Sequence, residues 1–489
     1  MKFQFILLIL FSTNNFIAAQ QIDRPNILFI VVDDLRPELN CYGESHMITP
    51  NIDRIALRGT LFNNAYCQQA VCSPSRNSLL TGLRPDKIGI YDLSTFFRSK
   101  IPDVITIPQI FKLNGYQTES VGKIFHTSHG NHNDTLSWNK IHDITKILKK
   151  IKRLRNGDTT DLQSGYPKIK GKKLPFYASP APEKQMTDAV ISEIAVKRLK
   201  FLSKTSRPFF LAVGFVKPHL PFVAPKKYWN LYNASEIKIP KRISPNNIPD
   251  FSLNNFGELR KYHGISQTKE SRYLSNELSR KLIHGYRASV SLIDSQIGKL
   301  LNTLENHNLS ENTVIIMLGD HGFKLGEFGL WCKHSNCELD TRAPLIISAP
   351  GFKKGEKTDS IIEFIDIYPT LCDLAGFQIP NGLDGKSLLP ILKNPNVIVK
   401  EFAISQYPRG KNLGYDHKKE IMGYSITDGN LRYISWQLYE NKNKILAEEL
   451  YSLDRVRSSH KNLVNAKEYI NKLRFMRESL QTQLLNSKK

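Results

Sequence analysis

Apolar residues fall along this chain in short continuous runs that alternate with amphipathic stretches. Asn26-Ile-Leu-Phe-Ile-Val-Val32 is unbroken and rich in β-branched residues, as expected of a strand covered on both faces, and it ends in Asp33-Asp34. Stretches 208–216 and 313–318 repeat the pattern, and the second runs straight into Gly319-Asp320-His321-Gly322. Stretch 117–124 reads as a further strand. Between them, Thr49-Pro50 is a cap and first turn for a helix reaching Arg58, 106–114 is a helix closed by Gly115, and 187–202 is helical. Ile283, Tyr286, Val290, Ile293, Ile297, Leu300 and Leu304 recur at three- and four-residue spacing, one face of a long helix. Strands alternating with helices predict an α/β fold, with a large, mixed but mostly parallel sheet sandwiched by helices. In such a sheet ligands bind beyond the carboxyl ends of the strands, where these two acidic motifs fall.

The texture changes near residue 395. Short strand-like runs at 402–407, 422–428, 431–438 and 448–453 are separated by Gly, Asn and Asp, and a helical tail starts at about 461. This predicts a smaller C-terminal α+β subdomain over 396–489, after a main domain over 20–395. The first nineteen residues read as a signal peptide: a basic Met1-Lys2 start, an apolar run from Phe3 to Phe11 broken by Gln4, and Ile17-Ala18-Ala19 before the cut. Export follows, to a periplasm or the medium, or to a lysosome in an animal host. Every later apolar run is far shorter than the roughly 20 residues that cross a bilayer, so no membrane span is expected.

Composition narrows the partner. The chain has 489 residues, 40% of them hydrophobic, which excludes a disordered polymer; 68 Lys+Arg against 45 Asp+Glu leave a net charge of +23. That excess favours a polyanion without choosing among nucleic acid, membrane surface and sulfated glycan. No nucleic-acid reading motif accompanies it. Stretch 144–173 carries ten Lys/Arg against two Asp and reads either as a solvated surface or as a grip on a polyanion. Six cysteines do not make a disulfide scaffold in a chain this long; Cys332 and Cys337 have the spacing for one bridge, and no C-x-x-C pair signals structural zinc.

Cys72-Ser-Pro-Ser-Arg76, leading into a helical run ended by Gly82, resembles the sulfatase signature Cys-x-Pro-x-Arg. Ser120-Val-Gly-Lys-Ile-Phe-His126, Val216-Lys-Pro-His-Leu-Pro-Phe222 and the segment from Leu325 to Ser335 are similar to other sulfatase segments. Together with Ser405-Gln-Tyr-Pro-Arg409 and Ile421-Met-Gly-Tyr-Ser425 they resemble the iduronate-2-sulfatase-like branch, which includes bacterial enzymes acting on ulvan and other algal polysaccharides. The resemblance implies an alkaline-phosphatase-like fold and hydrolysis of sulfate esters on a uronate-containing polysaccharide or oligosaccharide. It also implies Cys72 converted to formylglycine (3-oxoalanine) by a formylglycine-generating enzyme.

The aldehyde hydrate has two hydroxyls on one carbon, one to attack sulfur and one to expel sulfate by reforming the carbonyl. Asp33, Asp34, Asp320 and His321, with residue 72, would hold Ca²⁺; the three carboxylates are hard ligands suited to it. His321 stands where many sulfatases have Asn, but this branch has Asp-His there. By the same resemblance Arg76 fixes the hydrated aldehyde, and Lys123, His126, His219 and Lys333 act on the sulfate, the nucleophile or the leaving oxygen. Lys217 and His334 are weaker candidates for substrate binding. A phosphoester or phosphonate hydrolase of the same superfamily and a non-catalytic binder of sulfated glycans are the alternatives.

Overall fold

The computed structural model describes residues 24–148, 167–254, 256–266, 273–411, 418–441, 444–453 and 459–486. The predicted signal peptide and most of the basic 144–173 stretch lie outside these residues. An eight-stranded sheet runs in the order Glu356–Glu363, Thr60–Tyr66, Leu345–Ser348, Thr313–Gly319, Asn26–Val32, Phe209–Phe215, Gln117–Gly122, Lys140–His142. Only Leu345–Ser348 is antiparallel to its neighbours, so the sheet is mixed and mostly parallel as the sequence implies.

Alternation along one strand builds both layers. Leu28, Ile30 and Val32 face a core shared with the Thr187–Leu202 and Asn276–Asn306 helices, and the second helix buries all seven of the periodic residues from Ile283 to Leu304. Ile27, Phe29 and Val31 point the other way, onto Leu79 and Leu80 of the Cys72–Thr81 helix, Phe111 of Ile107–Leu113 and Tyr368 of Ile367–Leu374. Burying each such large side chain contributes about 1.5–3 kcal/mol. Thr106 caps the Ile107–Leu113 helix through a capping box with Gln109.

The central parallel strands end level with one another. Val32 stands beside Gly319 and Phe215, and Gly122 beside Gly214, which brings Asp33, Asp320, Val216 and Lys123 to one edge. The 117–124 run stops as a strand at Gly122, where φ is +81°. That turn needs glycine on both sides: a Cβ at Gly214 would lie 2.0 Å from the Lys123 carbonyl oxygen, and one at Gly122 would lie 2.1 Å from the Gly214 carbonyl oxygen. Gly214→Ala is therefore expected to destabilise the protein by about 1–3 kcal/mol in urea titrations and to displace Lys123. An unchanged midpoint would contradict this packing argument.

A four-stranded antiparallel sheet, Ala403–Arg409, Ile421–Thr427, Leu431–Leu438 and Ile445–Ser452, forms the C-terminal layer. The helical tail spans Ile470–Asn486, later than its sequence suggests, because Leu463 first pairs its backbone with Leu450. Leu473, Met476 and Leu480 then pack on Met422, Tyr424 and Ile426. The layer is tied to the main sheet by buried polar contacts: Arg432 to Glu338 at 2.6 Å, Ile404 N to Glu363 at 3.0 Å and Ser405 Oγ to the Cys67 carbonyl at 2.6 Å. All six cysteines are free thiols, and the expected Cys332–Cys337 bridge is absent. Cys332 is held in a short ladder opposite Lys324, while Cys337 precedes the Glu338–Thr341 turn.

Candidate active site

The Cys72–Thr81 helix, buried along its whole length, points its first residue at the strand ends. Arg76, one turn on, is fully buried and divides its guanidinium among four acceptors. Nε donates to Asp320 Oδ2 at 2.9 Å, Nη2 to Asp33 Oδ1 at 3.0 Å, and Nη1 to the carbonyls of Lys123 and Ile124. Lys123 Nζ reaches the other Asp33 oxygen at 2.5 Å. Burial alone would raise the Asp33 carboxyl, but Lys123 and Arg76 overcome it and hold it well below the usual range. Cys72 Sγ lies 3.5 Å from His321 Nε2, and burial and Asp33 push its thiol well above the ordinary value.

Asp33, Asp34, Asp320 and His321 have no exposed surface. His321 Nδ1 donates to the Gly322 carbonyl at 2.9 Å, which leaves Nε2 as a lone pair 3.4 Å from Asp34 and 3.6 Å from Asp320. Candidate ligand atoms of Asp33, Asp34, Cys72 and His219, and of Cys72, Asp320 and His321, lie within 4.8 Å of one another in two overlapping groups. Three buried carboxylates with one fixed imidazole fit a hard divalent cation.

On the far side, Lys333 Nζ donates to Asp34 Oδ1 and Oδ2 at 2.8 and 2.9 Å, and to Glu258 at 2.9 Å. His219 Nε2 meets the same glutamate at 3.0 Å, while Nδ1 donates to the Leu220 carbonyl at 2.8 Å. Burial would lower the His219 imidazole, but Asp34 and Glu258 outweigh it and raise it. His334 lies 3.3 Å from Glu258 and 2.8 Å from the Tyr407 hydroxyl, so the C-terminal sheet reaches the site through Tyr407. Arg409 joins it there, donating to the His334 carbonyl at 3.2 Å.

Two candidates lie differently from the rest. Lys217 donates to the carbonyls of His219 and Pro221 at 2.5 and 2.8 Å, and its backbone N–H bonds Asp188, so its ammonium braces the loop that carries His219. Burial lowers that ammonium to about 8 and raises Asp188 to about 6. His126 Nε2 is engaged by Ser128 at 2.7 Å, whereas its Nδ1 is buried with no hydrogen-bond partner. Glu258 is the residue the sequence does not signal. It sits on the four-residue Gly257–Arg260 helix after Phe256 in a left-handed conformation, in a stretch without any motif.

Cys72, Lys123, His126, His219, Glu258 and Lys333 all line one cavity of about 1050 Å³. Lys168, Lys172 and Lys261 stand on its outer wall. An oxyanion cleft beyond a parallel sheet, with cations ranged around a carboxylate cluster, defines a hydrolase for esters of a tetrahedral oxyacid. The chain belongs to the sulfatase family, whose description its residues 25–377 match, and it hydrolyses sulfate esters; residues 326–487 match the C-terminal region of N-sulphoglucosamine sulphohydrolase. It is 34% identical to iduronate 2-sulfatase of Homo sapiens over 92% of each chain, and 31% identical to a sulfatase of Formosa agariphila over 86% of this chain and 80% of that one. Its fold is similar to BT4656 in complex with its substrate D-glucosamine-2-N,6-O-disulfate, with a TM-score of 0.72 and 24% identity over 95% of this chain and 98% of that one. The phosphonate monoester hydrolase of Agrobacterium radiobacter shares it too, with a TM-score of 0.76 and 19% identity over 95% and 96%. No described helix is long and apolar enough to cross a membrane.

Proposed function

We propose that this protein is an exported, formylglycine-dependent sulfatase that removes sulfate from a uronate-containing oligosaccharide or polysaccharide of the ulvan or glycosaminoglycan type. The observation that carries the reading is the meeting of Cys72, Arg76 and the Asp33–Asp34–Asp320–His321 cluster at one buried helix start. A thiol kept protonated there is a poor nucleophile, which fits a site whose cysteine is converted before use. Formylglycine at position 72 would supply a geminal hydroxyl as nucleophile, and His126, whose buried Nδ1 has no hydrogen-bond partner, lines the same cavity. Ca²⁺ held by Asp33, Asp34, Asp320 and His321 would supply Lewis acidity toward the nucleophile and the sulfate oxygens.

The protein's own groups do the rest. Arg76 holds Asp33 and Asp320 in place by a fork of charge-assisted hydrogen bonds. Lys123 and Lys333, on opposite sides of the carboxylates, neutralise charge on the transferring sulfate. His219, its Nδ1–H on the Leu220 carbonyl and its imidazole raised by Asp34 and Glu258, would in its doubly protonated form offer Nε2–H to the leaving oxygen of the sugar. The cavity is far larger than a sulfate group, and its lysine-bearing outer wall suits a further anionic group on a neighbouring sugar.

The test is sulfate release from ulvan, heparan and dermatan oligosaccharides by Ca²⁺-loaded protein whose Cys72 conversion has been verified by mass spectrometry. No release from any of them sinks the proposal. With an active oligosaccharide in hand, Lys168→Ala combined with Lys172→Ala should raise its KM about tenfold and flatten the dependence on salt. An unchanged KM assigns those lysines to solubility alone.

A further inference from the structure

Glu258 stands among the very donors a sulfate ester needs. The Lys333 ammonium has three N–H groups, and its acceptors are the two Asp34 oxygens and Glu258 Oε2. The His219 Nε2 faces Glu258 Oε1 at 3.0 Å, and donates to it when the ring is doubly protonated. An oxyanion entering beside Lys333 and His219 therefore takes over hydrogen bonds that a carboxylate already holds. That carboxylate does not leave the neighbourhood, because His334, fixed by Tyr407, is a third partner at 3.3 Å. A bound anion thus shares its cations with a fixed negative charge.

The consequence depends on ligand charge. A sulfate ester carries one negative charge. Inorganic sulfate carries two, and a phosphate monoester carries nearly two at neutral pH, its second pKa being about 6. Repulsion from one nearby carboxylate doubles between these classes, while the hydrogen bonds offered to the oxygens stay similar.

We infer that Glu258 is a specificity-determining residue that biases the site toward monoanionic sulfate esters and against dianions, namely the sulfate product and phosphate monoesters. Discrimination of this kind works by repelling the wrong ligand rather than by adding contacts to the right one. The inference rests on the cavity being the sulfate-ester site.

Steady-state kinetics on the matured, metal-loaded enzyme test it. In Glu258→Gln the inhibition constant for inorganic sulfate should fall about tenfold, and the ratio of phosphate-monoester to sulfate-ester kcat/KM should rise about tenfold. Glu258→Asp, which keeps the charge, should stay near the wild-type ratio. An unchanged or weaker sulfate inhibition in Glu258→Gln would overturn the inference and leave Glu258 as a brace for Lys333 and His219. Should neither variant fold, the wild type decides alone: methyl sulfate, a monoanion, should inhibit at least as well as inorganic sulfate, and tenfold tighter binding of the dianion overturns the idea. If the wild type neither cleaves any sulfate ester nor binds sulfate, the functional reading has failed rather than this refinement of it.

Discussion

Cys72→Ala is expected to abolish sulfate-ester turnover, by about 10⁴-fold or more, because the loss of a nucleophile leaves only binding and charge stabilisation behind. The fold should survive. Cys72 is small, and its sulfur contacts the His321 ring at 3.5 Å, so alanine removes one atom from the helix start and should cost no more than about 1–2 kcal/mol. Sulfate release measured by ion chromatography, alongside urea unfolding of the same preparation, separates the two effects. Retention of more than a tenth of wild-type turnover would place the nucleophile elsewhere.

Arg76→Lys carries the second large expectation, and it strikes stability and turnover together. A planar guanidinium reaches Asp33, Asp320 and two carbonyls at once; an ammonium on a flexible stem cannot. A buried carboxylate that loses its partner costs about 3–5 kcal/mol, and the carboxylates displaced are the ones that frame the reaction. Turnover should fall about 10²–10³-fold, as when a preorganised charge is removed from an oxyanion site. Near-normal stability with intact turnover would show that the fork is dispensable.

Much of this was legible in the chain because strand ends are local features. Asn26–Val32 runs into Asp33-Asp34 and Thr313–Gly319 into Asp320-His321, and parallel neighbours bring those ends level without further information. The helix periodicity from Ile283 to Leu304 was equally plain, since a long amphipathic face needs no knowledge of its partner. What escaped depends on distant meetings. Glu258 reaches His219 across 39 residues and Lys333 across 75, from a one-turn helix whose composition announces nothing. Lys217 shares a motif with His219, but its ammonium turns back onto the His219 and Pro221 carbonyls, a geometry no residue pattern displays. Cys332 and Cys337 had the spacing for a bridge, yet the two-residue ladder at Trp331–Cys332 commits the first of them elsewhere.

The contact from Tyr407 to His334 bears on how the enzyme is made. Every signature of the catalytic and metal-binding groups, from Asp33 to Lys333, leaves the ribosome before Tyr407 and Arg409, the residues that fasten the His334 end of the site. A chain broken off or clipped ahead of the Ala403–Arg409 strand would carry all of those signatures and still present an unsupported His334 loop. Completion of the last layer therefore acts as a check on full length, and truncated products should count as inert protein, however convincing their remaining sequence.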